Sequence, residues 1–431
     1  MSNKTSIGEK KHWMGVRSME IPKLVKVKQY FSAEKLADIE GAVYQEIEES
    51  GVVIKPNAKI AITVGSRGIA NIALITRAIV RSVKKMGGEP FVVPAMGSHG
   101  GATPAGQVEV LRSYGVTEEF VEALIRSSLQ VVELPSDGLP CRVYMDKFSA
   151  EADGTIVMNR VKAHTDFHGP LESGMLKMLV IGLGNHKQAT EIHRYGVCGL
   201  KKLIPLVARQ ILRHGNIIMG LGIVENSYDE TLLVKAMRPE AIEREEMKLL
   251  ELSKQVMPGL PVETLDVLLV DRIGKDISGT GLDTNIIGRI GIDTEQDLEK
   301  PQIKRIVITD LTDASHGNSV GMGLADIMTE RLQSKIDFHA TYENVLTSTF
   351  VQRGKMPIVA RDARTALKYA LRTCGPVTPE TVRIIRIQDT LHLGEMYLSQ
   401  AVCEEIRNRS NIEVCGDYIN IFDEGGELIS G

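Results

Sequence analysis

Apolar and polar positions follow two alternating patterns along most of this chain. Short β-branched runs stop at a glycine, as in "KIAITVG" (59–65) and "PFVVPAMG" (90–97). The first run is followed by residues 70–88, which carry apolar residues at helical spacing and end in lysines and Gly-Gly, typical of a helix C-terminus. After the second run, Thr103 is predicted to cap the next helix and Pro104 to be its first residue.

The same strand, turn and helix pattern recurs to the end of the chain. A new series starts after "MPGLPVETLD" (257–266), where two prolines and a glycine follow a long charged helix, and residues 411–431 are predicted to form a strand or hairpin. Short apolar strands alternating with helices favour parallel sheets that are covered on both faces. We therefore predict an α/β protein of two α/β domains with mainly parallel sheets, residues 1–258 and 259–431. The other predicted strands are "GTIVMNRV" (154–161), "NIIMGLGIVEN" (216–226), "DVLLVDRIG" (266–274), "KRIVITDL" (304–311) and "VRIIRIQD" (382–389).

Composition indicates a globular protein with an aliphatic core. The chain has 431 residues, of which 43% are hydrophobic and only 4% aromatic, and its net charge of −4 gives no electrostatic reason to bind nucleic acid or an anionic membrane. The five cysteines form no CxxC motif, so we expect free thiols in a reducing compartment. Residues 1–13 carry charge without an apolar core, and no run of eighteen apolar residues occurs, so we expect a cytoplasmic protein without signal peptide or transmembrane helix.

The common nucleotide and hydrolase motifs are absent. The sequence contains no GxxxxGK[ST], no HExxH and no GxSxG, and "GMGLAD" (321–326) lacks the third glycine of a dinucleotide-binding turn. P-loop chemistry and the common hydrolase mechanisms are therefore disfavoured.

Two turns carry candidate chemistry. Arg67 in "VGSRG" and His99 in "GSHGGAT" each follow a predicted strand, and the carboxyl ends of parallel strands line the ligand crevice of such folds. There Arg67 can bind a carboxylate through two hydrogen bonds, His99 can move a proton near neutral pH, and backbone N–H groups of the glycine-rich turn can hold an anion. The alternative is that Arg67 is a surface cation and that His99 is a turn residue without a catalytic role.

Residues 164–193 contain four of the ten histidines and one lysine, Lys177, inside an apolar run. One interpretation is that the Lys177 ammonium reaches water while its methylenes pack. The other is a lysine with a lowered pKa that serves as a nucleophile or covalent attachment site. His193 lies sixteen residues further on, beyond one helix's reach, so the two can meet only through the fold. The histidines also suit metal binding, but their spacing specifies no closed zinc site.

These segments resemble the lactate racemase family that depends on a nickel pincer nucleotide. The resemblance rests on "SRG" with Arg67, "GSHGG" with His99, "SGMLK" with Lys177, and His193, in the same order and at compatible spacing. It implies two α/β domains with the active site in the cleft between them. It also implies a racemase or epimerase of a 2-hydroxy acid that reversibly transfers the α-hydrogen as hydride to the cofactor.

The resemblance also implies which residues hold the cofactor. Lys177 would form a thioamide with the pyridinium mononucleotide, and His193 would bind the nickel. Ser98 and Gly100, on either side of His99, are expected to contact the cofactor. An acylated lysine carries no charge, which would explain why Lys177 lies in an apolar run.

The substrate residues follow from the same resemblance. Arg67 would hold the carboxylate, and His99 would be one of two acid/base residues on the hydroxyl. His164 is the best match for the second, although the spacing to Lys177 is longer than in the family and His168 competes for the role.

The C-terminal half departs from the family. It keeps Asp283 and Asn285, but Gly288 and Gly291 stand where family members have a glutamine and a lysine that help to hold substrate. We expect Asn285 and the nearby Arg289 to contact the substrate, and the two glycines to leave room for a 2-hydroxy acid larger than lactate.

Two other functions remain open at this point. One is an NAD-dependent 2-hydroxy acid dehydrogenase, against which the missing GxGxxG counts, and the other is a non-catalytic metal- or ligand-binding protein that uses the histidine cluster. The expected partners are a small-molecule 2-hydroxy acid, the enzymes that synthesise the cofactor, and a second copy of the chain in a homo-oligomer. Neither nucleic acid nor membrane is expected.

Overall fold

A computed structural model describes residues 20–66 and 68–429. The strands are β1 (Leu24–Gln29), β2 (Lys59–Val64), β3 (Glu89–Pro94), β4 (Leu124–Ile125), β5 (Val131–Leu134), β6 (Val143–Asp146), β7 (Gly154–Arg160), β8 (Ile217–Glu225), β9 (Thr231–Met237), β10 (Thr264–Val270), β11 (Gln302–Ile308), β12 (Ile327–Thr329), β13 (Ile358–Ala360), β14 (Ile384–Ile387), β15 (Glu395–Leu398) and β16 (Ile412–Ile419).

The helices lie between these strands. The α-helices are α1 (Ile39–Ser50), α2 (Ile72–Lys85), α3 (Pro104–Ser113), α4 (Glu118–Val121), α5 (Lys147–Ala150), α6 (Met175–Lys177), α7 (Asn185–His193), α8 (Gly196–Cys198), α9 (Ile204–His214), α10 (Ile242–Val256), α11 (Thr284–Ile287), α12 (Glu330–Ser334), α13 (Phe338–Ser348), α14 (Ala363–Thr373) and α15 (Gln400–Ile406). π-helical turns span Met178–Gly182 and Gly199–Leu203. Short 3₁₀ turns span Gly100–Ala102, Pro239–Ala241, Asp313–Ser315, Met322–Leu324 and Val351–Gly354.

The first sheet has six strands in the order β4-β3-β2-β7-β8-β9. All its neighbours pair in parallel except β8 and β9, which form an antiparallel hairpin. Residues 60–64 of β2 are buried, as expected of a strand covered on both faces. Helix α2 covers one face with Ile75, Ile79 and Val83, all fully buried. Strands β5 and β6 form a separate two-stranded sheet.

The second sheet has eight strands in the order β13-β12-β11-β10-β14-β15-β1-β16. Strands β10 to β14 pair in parallel, whereas β15, β1 and β16 add an antiparallel edge. Its first contributor in the chain is β1, so residues 24–29 lie with the C-terminal strands. The domain boundary between residues 258 and 259 stays a prediction. Strand β1 lies before that boundary in the chain but belongs to the second sheet.

The fold class predicted from sequence is confirmed. Both large sheets are mainly parallel, and each strand predicted above corresponds to one of β2, β3, β7, β8, β10, β11 and β14. Thr103 caps α3 as predicted, since its hydroxyl accepts a hydrogen bond from Gly106 N at 3.1 Å, and Pro104 is the first helical residue. The C-terminal residues form β16, followed by a bridge between Phe422 and Leu428.

All five cysteines are free thiols, as predicted. Among the described residues, no helix is both long enough and apolar enough to cross a membrane. The N-terminal segment that we interpreted for targeting, residues 1–13, lies outside the described residues.

Candidate active site

Lys177 is the last residue of α6, where the helix widens into a π-helical turn, Met178–Gly182. Its neighbours Leu176 and Met178 are buried, whereas Lys177 itself is half-buried. The Lys177 Nζ lies 2.6 Å from His164 Nε2. Inserted π-turns occur frequently at functional sites, and this one begins at the residue after the lysine.

A buried carboxyl group holds the start of the helix that carries Lys177. Glu246 on α10 accepts a hydrogen bond from Leu176 N at 2.9 Å and lies where a Cβ on Gly174 would overlap with it. Burial raises the pKa of Glu246 to about 7, against the hydrogen bonds from the backbone of Leu176 and Met175. Asn159 Nδ2 donates to the Gly174 carbonyl at 2.9 Å. A side chain at 174 would displace the Glu246 carboxyl group, and α6 is held from two sides.

The imidazole of His164 is held in one orientation. It is 9% exposed and stacks on the Phe167 ring, with centroids 4.5 Å apart. The Asp166 backbone N–H donates to its Nδ1 at 3.0 Å. Burial, reinforced by the charge of Lys177, lowers the pKa of His164 to about 3, so the ring is neutral at physiological pH.

The hydrogen bonds of His164 also assign its tautomer. A neutral imidazole has one N–H and one acceptor nitrogen. Because Nδ1 accepts from Asp166, the proton belongs on Nε2, a tautomer assigned from the hydrogen-bond geometry. The Nε2 that carries this proton lies 2.6 Å from Lys177 Nζ.

A second histidine of this segment, His168, is held away from the lysine by Glu172. The buried Glu172 carboxylate accepts from His164 N at 2.6 Å and lies 3.4 Å from His168 Nδ1 and 3.0 Å from Lys254 Nζ. Burial alone would raise the pKa of Glu172, but the hydrogen bonds from His168, His164 N and Lys254 outweigh it and lower the pKa. The contacts thus place His164, and not His168, on Lys177.

The turn that carries His99 packs against the π-helical turn after Lys177. Gly97 N donates to the Gly182 carbonyl at 3.4 Å. His99 is exposed, and its Nδ1 makes a short hydrogen bond with Ser66 Oγ. Tyr114 donates to the Ser66 carbonyl at 2.7 Å. The ends of β2 and β3 therefore meet the lysine segment, as expected for the carboxyl edge of a parallel sheet.

Ser98 and Gly100 lie in the same turn. The Ser98 carbonyl accepts from Ala102 N at 3.1 Å, and the Gly100 carbonyl from Thr103 N at 3.3 Å. Gly100 has φ +66°, and a Cβ there would overlap with the α3 backbone, so the turn requires glycine. Contact of Ser98 and Gly100 with a cofactor stays a prediction. Arg67, the predicted carboxylate ligand, lies outside the described residues.

His193 is the last residue of α7 and is exposed as a residue. Its ring is nevertheless sufficiently shielded that desolvation lowers its pKa, and the charge of Lys177 acts in the same direction. The fold thus brings His193 into the electrostatic range of Lys177, sixteen residues earlier in the chain.

The donor groups near Lys177 suit a metal whose other ligands come from an organic group. In the part of the chain that the structure describes, no group of three or more His, Cys, Asp or Glu side chains could hold a metal ion. A closed zinc site is therefore not built from these residues. A single imidazole, His193, in the electrostatic range of Lys177 fits a cofactor that brings its own metal ligands.

Elements of the second sheet reach the loop that carries His164. Thr284 Oγ1 donates to the Thr165 carbonyl at 2.7 Å, and Asn285 Nδ2 lies 3.4 Å from the His164 carbonyl. Arg353, which is 2% exposed, binds the Asp166 carboxylate at 2.5 Å. Sequence reasoning missed Arg353, because an isolated arginine in "VQRGK" carries no motif and its burial arises only from the fold.

Two expectations for the C-terminal turn need correction. The Arg289 guanidinium donates to the carbonyls of Leu324 and Ile303, both at 3.0 Å, and lies 2.9 Å from the Asp326 carboxylate, so its contacts explain it as a structural residue. The expectation that two glycines leave room for substrate is wrong. Gly288 and Gly291 have positive φ, and a Cβ on either would overlap with protein atoms, of Pro301 and Leu324 respectively.

A cavity of about 520 Å³ lies between first-sheet and second-sheet elements. It is lined by residues 195–198, 201–202, 291–295 and 349–352. Lys201 Nζ and Glu295 Oε2 lie 2.9 Å apart across it. Its lining begins at Tyr195, two residues after His193 in the chain.

Comparisons with known proteins agree with this architecture. The structural match to the lactate racemase apoprotein from Thermoanaerobacterium thermosaccharolyticum covers 85% of this chain and 98% of that one, at 12% identity and a TM-score of 0.50. The chain has a lactate racemase-like fold. It is also similar to a protein from Thermotoga maritima, at 13% identity and a TM-score of 0.48 over 77% of this chain and 89% of that one.

The sequence comparisons are less specific. Residues 52–243 match DUF362, a domain of unknown function. No curated protein matches the chain. The matched region includes the first sheet and every predicted site residue up to His193.

Proposed function

We propose that this protein is a racemase or epimerase of a 2-hydroxy acid whose nickel pincer nucleotide is attached to Lys177. The observation that carries the proposal is the 2.6 Å contact of Lys177 Nζ with His164 Nε2. Since His164 Nδ1 already accepts a hydrogen bond, its Nε2–H faces Nζ, and we propose that Lys177 reacts there as an uncharged amine. Such an amine can form an amide-type bond with an activated acyl or thioacyl group.

The surroundings of Lys177 suit the acylated product. Acylation removes the positive charge for good, so the buried neighbours Leu176 and Met178 cost the modified side chain no charge desolvation. His193 would supply the protein ligand to nickel. When bound, the cofactor would accept and return the substrate's α-hydrogen as hydride, while the chain binds and orients the substrate.

The two histidines would divide the work on the substrate hydroxyl. His99, oriented by Ser66, would take the hydroxyl proton. His164 presents Nε2–H and would donate a hydrogen bond to the same oxygen. Arg67 would bind the carboxylate. A neutral His164 suits this role, because its lowered pKa prevents it from competing for the proton.

The direct test is the mass of the peptide that contains Lys177. We expect a cofactor adduct when the chain is coexpressed with the cofactor-synthesis enzymes, and none in Lys177→Met, whose fold should be intact. Full racemase activity with an unmodified Lys177 would contradict the proposal. Activity that requires added NAD would identify a dehydrogenase instead, and a chain without adduct that releases its metal to a chelator would identify a binding protein.

The substrate is expected to be a 2-hydroxy acid larger than lactate. Support comes from Asp283 and Asn285, whose side chains can hydrogen-bond hydroxyl groups that lactate lacks. α-Hydrogen exchange across a panel of 2-hydroxy acids with cofactor-loaded enzyme tests this, and lactate as the best substrate would contradict it.

A further inference from the structure

A buried arginine from the second-sheet elements uses its whole guanidinium to hold a loop of the first-sheet elements. Arg353 Nε and Nη2 donate to the Ile290 carbonyl at 3.0 and 2.9 Å. Nη2 also donates to the Thr165 carbonyl at 2.9 Å, and Nη1 donates to Asp166 Oδ1 at 2.5 Å. The guanidinium thus joins the backbone after α11 to the two residues that follow His164.

Three consecutive residues of this loop are held from the same side. The His164 carbonyl faces Asn285 Nδ2, the Thr165 carbonyl accepts from Thr284 Oγ1, and the Asp166 carboxylate binds Arg353. A side chain held this way can act on chemistry that it does not touch, because the loop it orders carries a reactive group.

The connection from Arg353 to the reactive group passes through Asp166. The carboxylate of Asp166 is held by Arg353, and the backbone N–H of the same residue donates to His164 Nδ1. This donor is what assigns the ring proton to Nε2, on the side of Lys177. If Asp166 moves, Nδ1 loses its donor and the imidazole is free to adopt the other tautomer.

We infer that Arg353 is a positioning residue that, through Asp166, holds His164 in its Nε2–H tautomer against Lys177. The inference rests on the proposed function and deepens it. The reactive pair, Lys177 and His164, lies in the first-sheet half, and its arrangement would depend on a residue from the second-sheet elements. It explains why an arginine is buried at this junction. Replacing it with a residue that makes fewer hydrogen bonds leaves Asp166 less well ordered.

The test is ¹⁵N NMR of the chain labelled in histidine, purified without cofactor. Ring nitrogen shifts distinguish the two tautomers, and His164→Gln identifies the His164 signals. We expect His164 in wild type to show one protonated nitrogen, Nε2, and Arg353→Lys to show an average of both tautomers. Lysine keeps the charge but cannot reach the carbonyls and the carboxylate together.

Arg386→Lys is the matched control. Arg386 is 3% exposed and binds Asp271 through two hydrogen bonds of 2.9 Å within the second sheet. Both variants should lose stability, but only Arg353→Lys should change the His164 signals. If both variants keep the wild-type tautomer, Arg353 is a structural residue only and the inference is wrong.

Thr284→Val supplies a second variant that conserves shape at a fully buried position. It removes the hydrogen bond to Thr165 and should shift the His164 tautomer in the same direction, more weakly than Arg353→Lys. If Arg353→Lys folds too poorly to be measured, an unchanged His164 tautomer in Thr284→Val contradicts the inference. The proposed function fails separately, on an unmodified Lys177 in the loaded wild type, so the two failures can be told apart.

Discussion

Lys177 Nζ and His164 Nε2 lie 2.6 Å apart, although thirteen residues separate them in the chain. A lysine and a histidine at this distance cannot both be protonated without strong repulsion. The Asp166 N–H on the far side of the imidazole assigns the ring proton to Nε2, so a neutral ring faces the lysine. Under the proposed function, Lys177 reacts from this contact as its uncharged amine.

Acid should destabilise the protein through His164. Its folded pKa of about 3 lies below the unfolded value of about 6.5, so the unfolded chain binds more protons between these pH values. The stability that neutral His164 contributes to the folded protein is fully present above about pH 6.5 and is lost as pH falls toward 3. We expect His164→Gln to flatten the pH dependence of the free energy of unfolding in this window, by at most about 5 kcal/mol. Urea denaturation at a series of pH values measures it, and parallel curves for wild type and variant would contradict it.

Glu246 should act in the opposite direction. Its folded pKa is raised to about 7 from an ordinary value of 4.5, so its contribution is complete below pH 4.5 and is lost as pH rises to 7. Glu246→Gln keeps an acceptor for Leu176 N and cannot ionise. We expect this variant to gain stability relative to wild type between pH 5 and 8, by at most about 3 kcal/mol. Glu246→Leu removes the acceptor and should be less stable than Gln at every pH.

His193→Ala should separate metal binding from covalent attachment. We expect the loaded variant to lose its nickel while the Lys177 peptide keeps the mass of the organic adduct, because the two functions use different residues. Metal analysis per subunit, together with peptide mass, checks both. His186 lies exposed on the same helix, so His186→Ala serves as the control. Wild-type nickel content in His193→Ala would remove this residue from the site.

The three histidines near the substrate hydroxyl should differ in their effect on turnover. We expect His99→Ala and His164→Ala each to lower kcat by about two to four orders of magnitude. His168→Ala should have a smaller effect, because its Nδ1 faces Glu172 at 3.4 Å. The measurement is racemisation rate with equal cofactor loading. An inactive His168→Ala beside an active His164→Ala would show that His168, and not His164, acts on the hydroxyl with His99.

Arg289→Ala should affect stability and not the substrate. The change removes the hydrogen bonds to the Leu324 and Ile303 carbonyls and the ion pair with Asp326, whose carboxylate keeps its hydrogen bond from Ile306 N. The free energy of unfolding should fall by about 1–3 kcal/mol. Denaturant unfolding measures the loss. A selective loss of activity on larger 2-hydroxy acids, at unchanged stability, would restore Arg289 to the substrate site.

Local pattern was sufficient to predict the elements and the edge of the sheet where chemistry lies. β-Branched runs that stop at glycine, as in β2 and β3, report their own conformation, and a parallel sheet then places His99 at its carboxyl edge. The apolar run around Lys177 likewise showed a cation in an unusual setting. These signals lie within a few residues of one another, and local sterics and burial produce them.

Tertiary structure alone decided which groups meet. By sequence, His164 is the best match for the second acid/base residue and His168 competes with it. In the structure, the Glu172 carboxylate and the Asp166 N–H separate their roles. Arg353 and Glu246 lie 187 and 70 residues from their partners in the site, Asp166 and Leu176, and have no local signature. From the sequence, Gly288 and Gly291 were expected to leave space for substrate. In the structure, protein atoms occupy the position that a side chain would take at both residues. Periodicity reports which side of an element is buried, whereas the distances between side chains of remote elements depend on how those elements pack.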